Sequence, residues 1–218
     1  MRLDGAVVAL PSTGERLLAL LAIRARPLHR LIVATTLWTD TTDCRAAANL
    51  RTTLWRTRRS VGDCVEFHGP MIGLSSRVQV DLVDFVKQTR RLFSDDTCLS
   101  REDCDTTQLD GDLLPDWDEE WVLFERERMR QLRIHALEAL CEKLTLAGHA
   151  GPAIQAGLAA VAAEPLRESA QRILIAAHLH EGNVSEARRQ YDVYRERLRG
   201  TLGIEPSAGL QALVGVGG

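Results

Sequence analysis

At Gly62 the hydrophobic period of the chain changes, and that change constrains the fold of everything before and just after it. Before Gly62 apolar residues recur at helical spacing. After it Val65 and Phe67 alternate, His68-Gly69-Pro70 makes a turn, and Ile72 and Leu74 alternate again. Alternation interrupted by a Gly-Pro turn predicts a β-hairpin with a loop of roughly three residues. Val78 and Val80 are candidates for one more short strand. Upstream, Val7-Val8-Ala9-Leu10 reads as a strand ended by Pro11. Ser12 with Glu15 three residues on fits a capping box. Leu17, Leu18 and Leu21 continue that helix to Arg26-Pro27, where the proline stops it. A second helix is expected over about 29–38, with Leu31, Ala34, Leu37 and Trp38 inward. A third, capped by Asp43, is expected to run to about residue 60 on a stripe of Ala47, Leu50, Leu54 and Val61. The predicted order is strand, three helices, hairpin.

The third helix also concentrates charge. Between Cys44 and Gly62 there are five arginines and no acid. Opposite the apolar stripe, Arg45, Asn49, Thr52, Thr53, Arg56 and Arg59 recur at intervals of three or four, with Arg51 nearby. Arginine holds guanine bidentately or binds phosphate, asparagine reads adenine, and threonine meets a phosphate or a thymine methyl. A helix of this kind fits the DNA major groove, and a following hairpin lies on the backbone or in the minor groove. Arg77, just past the hairpin, is expected to contact phosphate. A solvated basic face has the same composition; its position between a helix pair and a hairpin favours DNA.

The charge is unevenly divided. The whole chain carries a formal −3, from 27 basic and 30 acidic residues. Eleven arginines and six acids fall in 1–80, leaving 16 basic and 24 acidic residues beyond. A basic module joined to an acidic one suggests that only the first favours a polyanion.

A helix is predicted over 82–93, then a polar, turn-rich stretch over 94–116. Asp116-x-x-Glu119 matches a second capping box. From there Trp121, Phe124, Met129, Leu132, Ala136, Leu140, Leu144 and Ala147 form a long helical stripe stopped at Gly148. Gly148-x-x-x-x-Ala153 then recurs as Gly182-x-x-x-x-Ala187, an offset of 34 residues, the tetratricopeptide period. The copies are degenerate. Gly157 stands where the first would carry its aromatic residue, and Tyr194 and Arg199 replace the small residue and proline of the second. Helical hairpins follow with more force than strict repeat geometry.

Enzymatic and membrane readings find little. The chain has no glycine-rich phosphate loop, no His-Glu-x-x-His and no Gly-x-Ser-x-Gly. His178-x-His180 would point to different faces of a helix, so neither a metal nor a cofactor is expected. The acids Asp116, Asp118, Glu119 and Glu120 are read as favouring a helix start. Trp117 and Trp121 are read as core packing or a partner surface. Five cysteines without a Cys-x-x-Cys pair indicate reduced thiols, although Cys98 and Cys104 could cross-link on oxidation. No apolar run of membrane or signal-peptide length occurs, so a cytoplasmic location is expected.

Several motifs resemble a known family. Leu37-Trp38, Ala46-Ala47-Ala48-Asn49-Leu50-Arg51 and Leu54-Trp55-Arg56-x-Arg58-Arg59 are similar to the winged-helix DNA-binding domain of the Streptomyces antibiotic regulatory proteins. The segment after it resembles their bacterial transcriptional activator domain, through Asp110-Gly111-Asp112-Leu113-Leu114-Pro115-Asp116-Trp117, Pro165-Leu166-Arg167-Glu168 and Leu202-Gly203-Ile204-Glu205-Pro206-Ser207. The resemblance implies a transcriptional activator that binds promoter direct repeats, often as a homodimer, and recruits RNA polymerase, frequently to genes of secondary metabolism. It carries Asn49, Thr53 and Arg56 over as reading residues. Two departures stand out. Only about 3–10 remains of the family's N-terminal strands, an expected truncation or reduced sheet, and Thr57 stands where the family usually has leucine.

The resulting expectation is a mainly α chain with a small β component: a winged helix-turn-helix over 1–81 and a tetratricopeptide-like helical-repeat domain over 82–218. Its function would be sequence-specific binding of double-stranded DNA. The alternative is a helical-repeat interaction module whose winged helix does not bind DNA.

Overall fold

A computed structural model describes residues 2–3, 6–94 and 111–215. The chain is mainly helical with a small sheet, and it divides into two compact units, Met1–Asp84 and Phe85–Gly218.

In the first unit, β1 (Arg2–Leu3) and β2 (Ala6–Val7) form a two-stranded antiparallel pair. The strand expected to reach Leu10 stops at Val7. Helix α1 (Ser12–Arg24) begins at Ser12 itself, with Pro11 in the cap position and no side-chain bond there. The Pro11 carbonyl accepts from the amides of Gly14 (2.8 Å) and Glu15 (3.1 Å), so the predicted serine cap is not used. Ala25, left-handed at φ +49°, ends the helix before Pro27.

Leu28–His29 form β3, whereas the second helix was expected to begin at about His29. β3 pairs with β5 (Met71–Leu74), which pairs in turn with β4 (Val65–His68), giving the order β3-β5-β4. The third strand is therefore Leu28–His29, and Val78 and Val80 lie outside any strand. Because His68 pairs with Met71, the hairpin loop is Gly69-Pro70 alone, with Gly69 at φ +61°. Gly73 lets β5 approach Pro27: a β-carbon there would stand 3.3 Å from the Pro27 Cα.

Helix α2 (Arg30–Leu37) is capped by His29, whose ring accepts from the Leu31 amide. Val33, Ala34 and Leu37 face inward, whereas Leu31 is exposed. Arg16 of α1 donates to the Leu37 carbonyl at 3.0 Å, satisfying one of the acceptors every helix end leaves open. Helix α3 (Asp43–Val61) completes the trio. Leu17, Leu20, Leu21, Val33, Leu50 and Ile72 form the buried centre of this unit.

Helix α4 (Asp81–Leu92) contains the division between the units. The Cys98 and Cys104 pair and most of the polar stretch before α5 lie outside the described residues. Helix α5 (Glu120–Leu146) starts at Glu120 rather than after Asp116, and Glu119 makes no capping bond. The reason lies in Arg126. Its guanidinium donates to the carbonyls of Leu113, Leu114 and Trp117, holding that segment non-helical against α5. Arg133 adds bonds to the Gly111 carbonyl and the Asp112 carboxylate. Trp117 and Trp121 meet edge to face, with ring centroids 6.3 Å apart.

Helices α6 (Ala150–Ala163), α7 (Glu168–His180), α8 (Val184–Leu202) and α9 (Ala208–Leu213) follow. The 34-residue offset is visible in the backbone. Gly148 and Gly182 both have positive φ (+75° and +84°) at the turn between paired helices. The His149 amide donates to the Leu144 carbonyl, and Asn183 repeats that bond to His178. Ala153 and Ala187 are both fully buried at equivalent places. Small residues on α6 let helices close tightly. At Gly157 a β-carbon would meet Leu174 at 3.1 Å and the Cys141 sulfur at 3.2 Å, so an aromatic side chain has no room there.

Two of the sequence motifs prove to be staples. Arg167 pairs with Glu138 of α5 at 2.8 Å, and Glu138 also accepts from Ser169. Glu168 accepts from both the amide and the hydroxyl of Ser207, which itself caps α9. Gly203 ends α8 at φ +69°, and Glu205 pairs back to Arg195 and Arg199.

Candidate nucleic-acid interface

Helix α3 follows Thr42, which holds the cap position in extended conformation without a side-chain bond. Asp43, expected as the cap, is the first helical residue, where its charge favours the helix dipole. Gly62, at φ +72°, closes the helix.

The buried face of α3 is Ala46, Leu50, Thr53, Thr57 and Val61. It is rotated from the predicted stripe: Ala47 is exposed and Leu54 half-buried. Thr53 is only 4% exposed, so it lies in the core face and is removed from the set expected to touch DNA. Asn49 sits half-buried at the margin. Arg45, Arg51, Thr52, Arg56 and Arg59 are all exposed, as is Arg77 beyond the hairpin. At 3.6 residues per turn, Ala48, Thr52, Trp55 and Arg59 run down the middle of the exposed face. Arg45 and Arg56 flank one side, and Arg51 and Arg58 the other.

The charges differ in their commitments. Arg58 is paired with Asp63 at 2.7 Å. Arg45, Arg51, Arg56 and Arg77 have no ion-pair partner among the described residues. Thr52 donates its hydroxyl to the Ala48 carbonyl, leaving it to act outward as an acceptor or through its methyl group.

Sequence reading did not single out Trp55 as a site residue. It is 58% exposed in the middle of this face, with the Arg59 guanidinium 4.9 Å above its ring. The available signal was a tryptophan placed opposite Leu50 and Thr57 on an otherwise arginine-rich helix. Beside it a shallow cavity of about 170 Å³ separates α3 from β4, lined by Leu54, Trp55, Cys64, Val65 and Phe67 among others. Burial raises the Cys64 thiol pKa above its usual range. The hairpin is braced at its base: Ser75 donates to Glu66 at 2.6 Å, and its amide donates to the Cys64 carbonyl. Phe67 on β4 is exposed.

Among the described residues no three His, Cys, Asp or Glu side chains gather where a metal ion could be held. No described helix is long and apolar enough to cross a membrane.

The first unit carries a basic helix and a hairpin, and the second is a series of helical hairpins. Residues 81–215 match the family described as bacterial transcriptional activator domain, and the chain belongs to that family. Among solved structures it is similar to Mycobacterium tuberculosis EmbR in complex with a low affinity phosphopeptide, at TM-score 0.69 and 23% identity. That match covers 97% of this chain and 60% of EmbR, so the chain spans less than two thirds of that protein. No curated protein sequence matches.

Proposed function

We propose that the chain binds duplex DNA sequence-specifically and activates transcription, with the first unit acting as a winged helix-turn-helix. The observation that carries this reading is the exposed face of α3, with Arg45, Arg51 and Arg56 unpaired among the described residues and no acid between Cys44 and Gly62. Helix α3 enters the major groove, Asn49 reaches a base from the margin, and the β4–β5 hairpin with Arg77 lies along the backbone. The helical repeats then supply surfaces for dimerisation on direct repeats and for RNA polymerase. The targets are promoters in the manner of the Streptomyces antibiotic regulatory proteins, including genes of secondary metabolism.

The test is binding of the full chain to duplex from its own upstream region, titrated with salt. Each phosphate neutralised should lower log K by about 0.9 per unit of log salt concentration. Arg56→Ala should weaken binding by roughly 1–3 kcal/mol if Arg56 meets a base, or shift the salt slope by about one if it meets phosphate. No salt-dependent binding to any duplex would overturn the reading and leave a protein-interaction module.

A further inference from the structure

The arginines of α3 are explained by attraction to phosphate, but Trp55 is not. An indole adds nothing to that attraction, and exposing one costs hydration free energy that a surface helix ordinarily avoids by carrying a polar residue. Trp55 is nevertheless more than half exposed in the middle of the face. Toward the helix N-terminus the same row carries only Ala48 and Thr52, so the ring stands proud of a flat surface.

Resting on the DNA-binding reading above, we propose that Trp55 and Arg59 form a base-reading pair. The Trp55 indole packs on the 5-methyl group of a thymine, and the Arg59 guanidinium donates bidentately to a neighbouring guanine. The major groove presents one wholly apolar feature, the thymine methyl, and an apolar ring at the centre of a groove-facing helix is matched to it. The charge around Trp55 selects the same occupant: Arg59 lies over the ring, Arg51 and Arg56 flank it on the helix face, and the one acid lining the adjoining cavity, Asp63, is held by Arg58. A guanidinium carbon 4.9 Å from the ring centroid leaves the group an N–H edge to offer to a base. That edge is the part that meets guanine O6 and N7. The stack also restricts a flexible side chain before DNA arrives, lowering the ordering cost of binding.

The experiment starts from duplexes enriched by the full chain out of a randomised library. In the enriched site each thymine is replaced in turn by deoxyuridine, which deletes only the methyl group, and each guanine by 7-deazaguanine, which deletes the N7 acceptor. At one thymine of a half-site the wild type should lose about fourfold in affinity, the worth of burying one methyl-sized group. Trp55→Ala should bind the thymine duplex more weakly and no longer distinguish it from the deoxyuridine duplex. Trp55→Phe, which keeps a ring on an exposed position, should retain part of the difference. Arg59→Lys should keep the salt slope but lose sensitivity to 7-deazaguanine at the adjacent guanine. If Trp55→Ala keeps the full thymine–deoxyuridine difference, or binds every duplex as the wild type does, the pairing is wrong while DNA binding stands. If the wild type enriches no sequence, both fail together.

Discussion

Replacing Thr57 by valine should stabilise the N-terminal unit. Thr57 is 1% exposed, and its hydroxyl has no hydrogen-bond partner among the described residues. It faces Gly14 so closely that a β-carbon there would stand 3.0 Å from the Thr57 oxygen. A buried hydroxyl left unpaired costs about 1–3 kcal/mol. Valine has nearly the same shape, a similar helix propensity, and one methyl more to bury, worth about 0.8 kcal/mol. Imperfect fit of that methyl against Gly14 offsets part of the gain, so a net of about 1–2 kcal/mol is expected. For a unit of this size that corresponds to a melting-point rise of about 4 °C or more. The assay is urea unfolding followed by Trp38 and Trp55 fluorescence, with Trp117 and Trp121 changed to phenylalanine so that only the first unit reports. The midpoint should rise at constant m. Thr57→Ser keeps the hydroxyl and deletes the methyl, and should lose about 1 kcal/mol. A valine variant no more stable than wild type would mean that the hydroxyl is satisfied, refuting the reasoning.

Three further outcomes are expected. Ser207→Ala removes the α9 cap together with one of its two bonds to Glu168; it should cost about 1 kcal/mol and speed proteolysis at the C-terminal end, whereas an unchanged digestion rate would show that α9 is held by Leu210 packing alone. Burial pushes the Cys141 thiol up to about 11. Its folded pKa thus exceeds the unfolded one, so it stabilises fully below about pH 9 and the contribution is lost as pH rises toward 11; alkylation at pH 8 followed by mass spectrometry should label exposed Cys44 well before Cys141, and equal rates would contradict the packing around Gly157. Glu138→Ala leaves half-buried Arg167 without its carboxylate, though still beside Ser169 and His135, and should destabilise the second unit by roughly 1–2 kcal/mol, read from its urea midpoint, while a loss under about 0.5 kcal/mol would mark the pair as solvent-screened.

Much of the architecture was legible because it is written in period. The change at Gly62, the hairpin and the 34-residue return of Gly148 at Gly182 each follow from spacing and backbone freedom. The errors share a cause: local patterns were read where tertiary partners decide. Ser12 and Asp116 both match capping boxes, but the Pro11 carbonyl and the Arg126 guanidinium take the relevant backbone groups. Leu28–His29 is too short to show alternation and becomes a strand only because β5 offers it an edge. On α3 the basic face was visible in composition, but its rotation was not. Thr53 and Thr57 count as polar in any hydropathy pattern, yet their methyl groups make them core residues against α1 and α2. That misassignment placed Thr53 among the contacts, while Trp55, opposite Leu50 on the same helix, was passed over.

The assignment of α3 as the DNA-reading element is tested most directly by hydrogen exchange of the full chain with and without its selected duplex. Slowed exchange should concentrate in Asp43–Val61 and in the hairpin from Val65 to Leu74, with α6 to α8 unchanged at the monomer level. Protection of the helical repeats with none on α3 would contradict it.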